Sequence, residues 1–360
     1  MGSLLERPLV LVPSVFPHCY QGGKLRAQFF GEPSPRDDRR PEGWFLSTNK
    51  AMTPGRTNEP HEGIGRVALP GGGTVLLTEL IAQFPAEMLG PNHLVKWGQA
   101  LGILVKIFDT ASYIPVHWHP DRKFAQKYLN SPFGKTEAWI IIATRRDAKV
   151  WVGWDRQITR RDITEWYRDQ NGNGMRSCMF IYEPEIGGDI FYIPAGVPHS
   201  LIGCCVLEPQ EPTDWSIFAE WKMLGLPRAA DGLLGLDWET ALDSLDFSYF
   251  NKKKFESEVF MKPRTIWTEG GNNECDILPE NTGQFFGASR LTVNSEVEIC
   301  KEGFYGIAVT SGSGYLKGFG SDLYLKPGVT LMMPACLAGH EYTIVGNPHV
   351  QLFFFYPPLS

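Results

Sequence analysis

The sequence predicts a mostly β fold made of two related β domains with short helical insertions, on three observations. The 38 glycines and 27 prolines among 360 residues, with 12% aromatics, describe many tight turns joining aromatic-rich strands. Strand-type apolar runs recur from Ile103 to Leu207 and again from Gly287 to Tyr356. Both stretches also carry a Gly, five residues and then a Pro: Gly188 to Pro194 within Glu185–Pro194, and Gly328 to Pro334 within Leu323–Pro334. A repeat this widely spaced indicates two related domains rather than a short-period solenoid.

Composition narrows the function classes. A length of 360 residues with 43% hydrophobic and 21% charged residues is that of an ordinary globular chain of about two domains. Forty acidic against 34 basic residues give a formal charge of −6, so the broad positive field needed for nucleic acid or an acidic membrane surface is missing. The longest apolar runs, such as Ala138 to Ala143 and Val350 to Tyr356, fall well short of the roughly 18 residues of a bilayer span. No secretory signal is read at the start, where Glu6 and Arg7 precede an apolar stretch interrupted by Pro13, and Glu6 spoils a myristoylation signal. Seven cysteines, an odd number without a C-x-x-C pair, predict reduced thiols and a cytoplasmic protein. Among them, Cys204 and Cys205 read as buried packing.

The elements follow in chain order. Residues 1–100 hold short strands around Pro8 to Phe16 and Gly43 to Ser47, separated by the charged, Pro-rich loop Gly31 to Pro41, and are expected to complete the first β domain. Within them Gly72 to Gly90 has helical spacing, with Thr74 as its cap, Pro85 splitting it and Gly90 ending it. Residues 101–225 form the first domain proper. Its strands are predicted at Ile103 to Phe108, Tyr113 to Trp118, Ala138 to Ala143, Val150 to Gly153, Ile190 to Ile193 and Leu201 to Leu207, interrupted by helices Arg122 to Leu129 and Thr159 to Arg168. Residues 226–284 read as a connecting helical or loop segment, exposed up to 265 and carrying the Lys252–Lys254 run, and 285–360 as the second β domain.

Three of the eight histidines concentrate in two short motifs. His117-Trp118-His119 puts two imidazoles on one face of a strand, about 7 Å apart, which suits two ligands of one metal. The second motif runs from Gly188 through Pro194 and Gly196 to His199, a sharp turn that presents an imidazole. Between them Glu137 opens a strongly apolar strand and brings an otherwise unexplained charge to it. Taken alone, an H-x-H pair or a strand-edge Glu is weak evidence; the joint pattern matches the two metal-binding motifs of the cupin barrel. Three neutral imidazoles and a carboxylate suit zinc, iron, manganese or nickel, with open positions left for water or substrate.

These motifs extend into a collinear likeness. Gln21-Gly-Gly-Lys-Leu-Arg26 resembles a W-G-G-x-K-L segment, Glu42-Gly-Trp44 an E-S-W, and Leu104-Val-Lys-Ile-Phe-Asp109 an L-L-V-K-I-L-D. Pro115-Val-His-Trp-His-Pro-Asp121 is similar to S-V-Q-V-H-P-D, Gly134-Lys-Thr-Glu-Ala-Trp139 to G-K-T-E-C-W, Ile193-Pro-Ala-Gly-Val-Pro-His199 to I-P-A-G-T-x-H, and Leu207-Glu-Pro-Gln210 to L-E-I-Q. The chain therefore resembles the type I mannose-6-phosphate isomerases, in their short bacterial form, from about Pro8 to Pro357. That resemblance implies two cupin (jelly-roll β-barrel) domains, the first with a metal site and the second without one. It implies one divalent metal, with zinc leading, held by His117, His119, Glu137 and His199. It also implies Lys135, on the same strand face as Glu137, as the catalytic and substrate-contacting lysine. The implied reaction moves a proton between C1 and C2 of an aldose and a ketose through an enediol.

Departures from the family pattern accompany the matches. His117 stands where the family has Gln, Pro115 where it has Ser, and Phe218 where it has Arg. Arg122 and Arg176 are the candidate replacement cations. Trp118, Trp139, Trp151 and Trp154 either stack on a sugar or fill the core, and Trp118 is the candidate substrate contact. In the second domain His340 reads as structural. The expected partner is a small-molecule sugar or sugar phosphate, without nucleic acid or membrane and with a homodimer left open. Two rivals to the isomerase remain: a cupin oxygenase using the same three-His, one-Glu set, and a non-catalytic carbohydrate-binding descendant.

Overall fold

The structure is a computed structural model that describes residues 4–185 and 188–359. The first copy of the Gly-to-Pro repeat, taken from Glu185, includes Ile186 and Gly187, which lie outside the described residues. Two antiparallel sheets make up the fold, one of nine strands and one of eleven. At the centre of the nine-stranded sheet, the strand His199–Gln210 pairs with Leu104–Asp109, Ile114–Trp118 and Glu137–Trp154. The two strands expected at Ala138 to Ala143 and Val150 to Gly153 are one continuous strand, Glu137–Trp154. Its middle, Arg145 to Asp147, is more exposed than either apolar end, which is why the sequence reads as two segments.

Alternation assigns each strand a core face and a cavity face. Val105 and Ile107, Ala138 and Ile140, and Cys205 and Leu207 enter one cluster with Met332, Phe353 and Phe355 of the eleven-stranded sheet. Their neighbours Lys106 and Phe108, Glu137 and Trp139, and Glu208 face a cavity instead. Burial of this shared core supplies the main cohesion between the two sheets, since the hydrophobic effect scales with apolar area removed from water, at roughly 25 cal/mol per Å². Among the described residues, no helix is long and apolar enough to cross a membrane.

Several sequence expectations are corrected. The first hundred residues do not serve the first domain alone. Glu42–Leu46 pairs with Leu104–Asp109 in the nine-stranded sheet, but Leu9–Val12 pairs with Thr330–Met333 and brings Arg66–Ala68 and Thr74–Leu76 into the eleven-stranded one. Thr74 thus opens a strand and caps no helix; the helices Leu77–Gln83 and Pro85–Leu89 follow it, divided at Pro85. The segment after residue 225 is not merely an exposed connector. Leu233, Ala241, Leu242 and Leu245 are buried against Val116 and Trp118, and Phe250 and Phe255 pack with Val150, Val152 and Phe191. Polar residues of the segment, including Lys252 and Lys253 at the start of helix Lys252–Glu258, meet solvent. The insertion helix Arg160–Asp169 does start where its sequence indicates, because Thr159 and Asp162 form a reciprocal capping box.

Candidate metal centre

The strand Ile114–Trp118 and the residue that follows it put His117 in the cavity wall and His119 buried beside Glu137, with Trp118 on the opposite side. His199 opens the neighbouring strand and lies directly across from His117 in the ladder. The turn before it is tied down by Gly196, whose N–H donates to the His119 carbonyl at 2.7 Å and whose φ of 87° suits glycine. Glu137 starts the next strand over, with Gln210 and Ile193 as its cross-strand neighbours. Gly134, just before it, passes so close to the Pro120–Asp121 backbone that a Cβ would sit 2.6 Å from the Pro120 carbonyl oxygen. This close approach brings the Lys135–Glu137 segment against the end of the histidine strand, where the Lys135 N–H donates to the Pro120 carbonyl.

The three imidazoles are oriented alike. Each Nδ1 lies on a backbone carbonyl: His117 on Pro115 at 2.8 Å, His119 on Trp215 at 2.7 Å and His199 on Val197 at 2.9 Å. Nδ1–H donation to these carbonyls leaves every Nε2 as a lone pair aimed inward. The His117 and His199 Nε2 atoms approach to 2.9 Å, His119 Nε2 lies 3.1 Å from Glu137 Oε2, and His199 Nε2 lies 3.4 Å from Glu137 Oε1. Convergent lone pairs and a carboxylate repel one another unless a cation lies between them, and the buried His119 Nε2 and Glu137 Oε2 have no hydrogen-bond partner. A divalent metal fits this donor set. Burial pushes all three histidines below their ordinary range, His119 to about 3, so they are neutral and ready to ligate. Burial opposes ionisation of Glu137, yet the neighbouring Lys135 ammonium helps hold it well below the usual carboxylate range.

Lys135 Nζ sits 3.3 Å from Glu137 Oε2, as the same-face spacing predicts. Trp118 is corrected: it is fully buried, belongs to the cluster under the helical segment, and donates its indole N–H to Ser244 Oγ at 2.9 Å. The physical reason is strand alternation, since the residue between two same-face histidines must face the other way. Trp139 is the tryptophan that lines the cavity, and its Nε1–H donates to Glu137 Oε1 at 3.0 Å. Neither candidate cation reaches the cavity lining. Arg122 pairs with Glu211, whose other oxygen accepts the Thr136 N–H, so it buttresses the Lys135–Glu137 segment from behind. Arg176 pairs with Glu220, which accepts the Val116 N–H at 2.6 Å and supports the histidine strand. His340 is exposed and bonds the Gly318 carbonyl, and the group able to hold a metal among the described residues is His117, His119 and His199.

A second polar layer lines the same cavity of about 890 Å³, and the sequence reading did not single it out. Glu42 accepts from Tyr20 Oη at 2.7 Å, Trp44 Nε1 at 2.7 Å and Lys106 Nζ at 3.1 Å, and Lys106 lies 3.1 Å from Glu208 as well. Burial, seconded by the Glu137 charge, raises Glu208 well above the usual carboxylate range. His18, Asp214 and Phe218 complete this part of the wall, with the Phe218 ring stacked on His117 at 5.4 Å between centroids. One signal was available: Lys106 is a lone charge in the otherwise apolar run Leu104–Phe108, the same anomaly that flags Glu137.

Comparison with known proteins follows the same lines. No protein-family model matches the chain. A Bacillus subtilis protein named Probable mannose-6-phosphate isomerase GmuF is 28% identical over 348 residues, 95% of this chain and 98% of that protein. Another from Bacillus subtilis, Mannose-6-phosphate isomerase ManA, is 28% identical over 148 residues, 40% of this chain and 45% of that protein. Among solved structures, mannose 6-phosphate isomerase from Bacillus subtilis superposes with a TM-score of 0.74 at 22% identity, covering 97% of this chain and 99% of that one. A mannose 6-phosphate isomerase bound with zinc and yttrium superposes at 0.71 with 14% identity, covering 98% and 100%. The structural matches show that the chain shares the mostly β, two-sheet fold of solved mannose 6-phosphate isomerases, and the sequence matches make it a homologue of proteins named for mannose-6-phosphate isomerisation.

Proposed function

We propose that this chain, a full-length homologue of the mannose-6-phosphate isomerases, is a metal-dependent aldose–ketose isomerase acting on a sugar or sugar phosphate. The observation that carries the reading is the gathering of the His117, His119 and His199 Nε2 atoms in one buried cluster with the Glu137 carboxylate. His117, His119, His199 and Glu137 would hold a divalent metal, zinc by analogy with the zinc-bound structural neighbour, and that ion would supply Lewis-acid polarisation of the sugar oxygens at C1 and C2. Lys135 is placed beside Glu137 to donate to the oxygen that gains charge as the C2 proton leaves. Glu137 orients both that ammonium and the Trp139 indole, and Trp139 and Phe218 keep water from the reacting carbons.

The test is exchange of the C2 proton of candidate aldoses in deuterated water, followed by NMR on the zinc-loaded protein. Exchange that disappears in His119→Ala and in Glu137→Ala is the expected result. Absence of exchange across free and phosphorylated pentoses and hexoses removes the isomerase. The same ligand set favours one alternative, a cupin oxygenase. Stoichiometric iron in the purified protein together with oxygen uptake would establish that chemistry instead.

A further inference from the structure

The charge arrangement of the cavity says which class of aldose it takes. Resting on the isomerase reading, we infer that the substrate is an uncharged aldose rather than its phosphate ester. Among the described residues, five carboxyl groups line the cavity, Glu42, Glu137, Glu208, Asp214 and Asp231, against two ammonium groups, Lys106 and Lys135, and no arginine. Neither ammonium group is left for a distant phosphate, since Lys106 is held by two carboxyl groups and Lys135 serves the reacting oxygens beside Glu137. Lys106 is almost fully buried between Glu42 and Glu208 at 3.1 Å from each, and Lys135 lies 3.3 Å from Glu137 at the metal ligands.

Anchoring a phosphate dianion takes charge-assisted donors that are not committed elsewhere, above all a guanidinium fork or a free ammonium. Here the remaining lining offers Met52, Pro54, Leu234 and the uncharged Ser216 hydroxyl together with Asp214 and Asp231. Those carboxyl groups repel a dianion when ionised, whereas a neutral sugar finds in them acceptors for its hydroxyls and in Phe218 an apolar face. Asp231 has its own partner, Arg228, but that arginine is largely in solvent and does not line the cavity. Lys50 is exposed on the neighbouring cleft, which shares Met52 and Asp214 with the cavity.

Calorimetric titration of the zinc-loaded protein with matched aldose pairs, beginning with mannose and mannose 6-phosphate, decides the matter through the best-bound pair. The free sugar is expected to bind about tenfold tighter or more. Asp231→Lys is expected to narrow that ratio, and Lys50→Ala to leave it unchanged. Equal or tighter binding of the phosphate ester overturns the inference, most directly if Lys50→Ala then abolishes the advantage. Isomerisation is read separately by C2 exchange: free-sugar preference without exchange supports this inference while removing the isomerase, and phosphate preference with exchange does the reverse.

Discussion

At the scale of single residues, the site rests on which atom of each side chain is left over after the backbone has been satisfied. His117, His119 and His199 each spend Nδ1 on a carbonyl, so removing any one ring deletes an inward donor and leaves one backbone carbonyl without that bond. His199→Ala is therefore expected to lower bound metal, measured by elemental analysis, from stoichiometric to trace while the chain stays folded by circular dichroism. Trp118 behaves oppositely. Its Phe variant loses the bond to Ser244 within a packed cluster, and the expected cost is about 1–3 kcal/mol in urea unfolding with metal content and kcat/KM unchanged. A selective drop in kcat/KM with unaltered stability would restore Trp118 to the substrate surface. These ligands were legible in the sequence because their spacing is local. Lys106, Glu42 and Glu208 were passed over because their roles arise from one another: separate strands place an ammonium between two carboxyl groups.

At the scale of elements, period-two alternation did most of the predictive work. Strands at Leu104–Asp109, Ile114–Trp118 and Ile190–Ile193 lie within a residue or so of their predicted positions, since each has one apolar face that must be buried. The reading failed where an apolar run fits two periods. Leu76, Leu77, Leu80 and Ile81 suit a helix, but Thr74–Leu76 is drawn into the eleven-stranded sheet by its pairing with Arg66–Ala68. Sheet membership of the amino-terminal strand was also hidden, because Leu9 meets Met332 across more than three hundred residues. A consequence can be measured. Leu9→Ala removes a fully buried side chain from the shared core and is expected to cost about 2–5 kcal/mol of stability while leaving metal stoichiometry intact. Loss of metal in a folded Leu9→Ala protein would show that this strand serves the site after all.

At the scale of the whole molecule, the cavity concentrates buried histidines, and that makes the metal-free protein acid-sensitive. Burial lowers His18, His117, His119 and His199 below the ordinary value of 6.5. Below that pH the unfolded chain takes up protons that the folded one refuses, so stability present above pH 6.5 falls as the pH drops towards the folded values, about 3 for His119. His119 alone should cost on the order of 1 kcal/mol between pH 6.5 and 5.5 in urea unfolding of chelator-stripped protein, with the other three acting in the same direction. A flat profile over that window would mean the histidines protonate in place. The sequence by itself determined the β class, the faces of most strands and the mildly acidic character, and it singled out His117, His119, Glu137 and His199 as candidate donors, because alternation and short motifs are properties of neighbouring residues. Only the tertiary structure decided how the first hundred residues divide between two sheets, that Trp118 faces away from the site, and that both cavity lysines are already paired. Those outcomes depend on register between distant strands, and alternation says which residues share a face without saying what that face will meet.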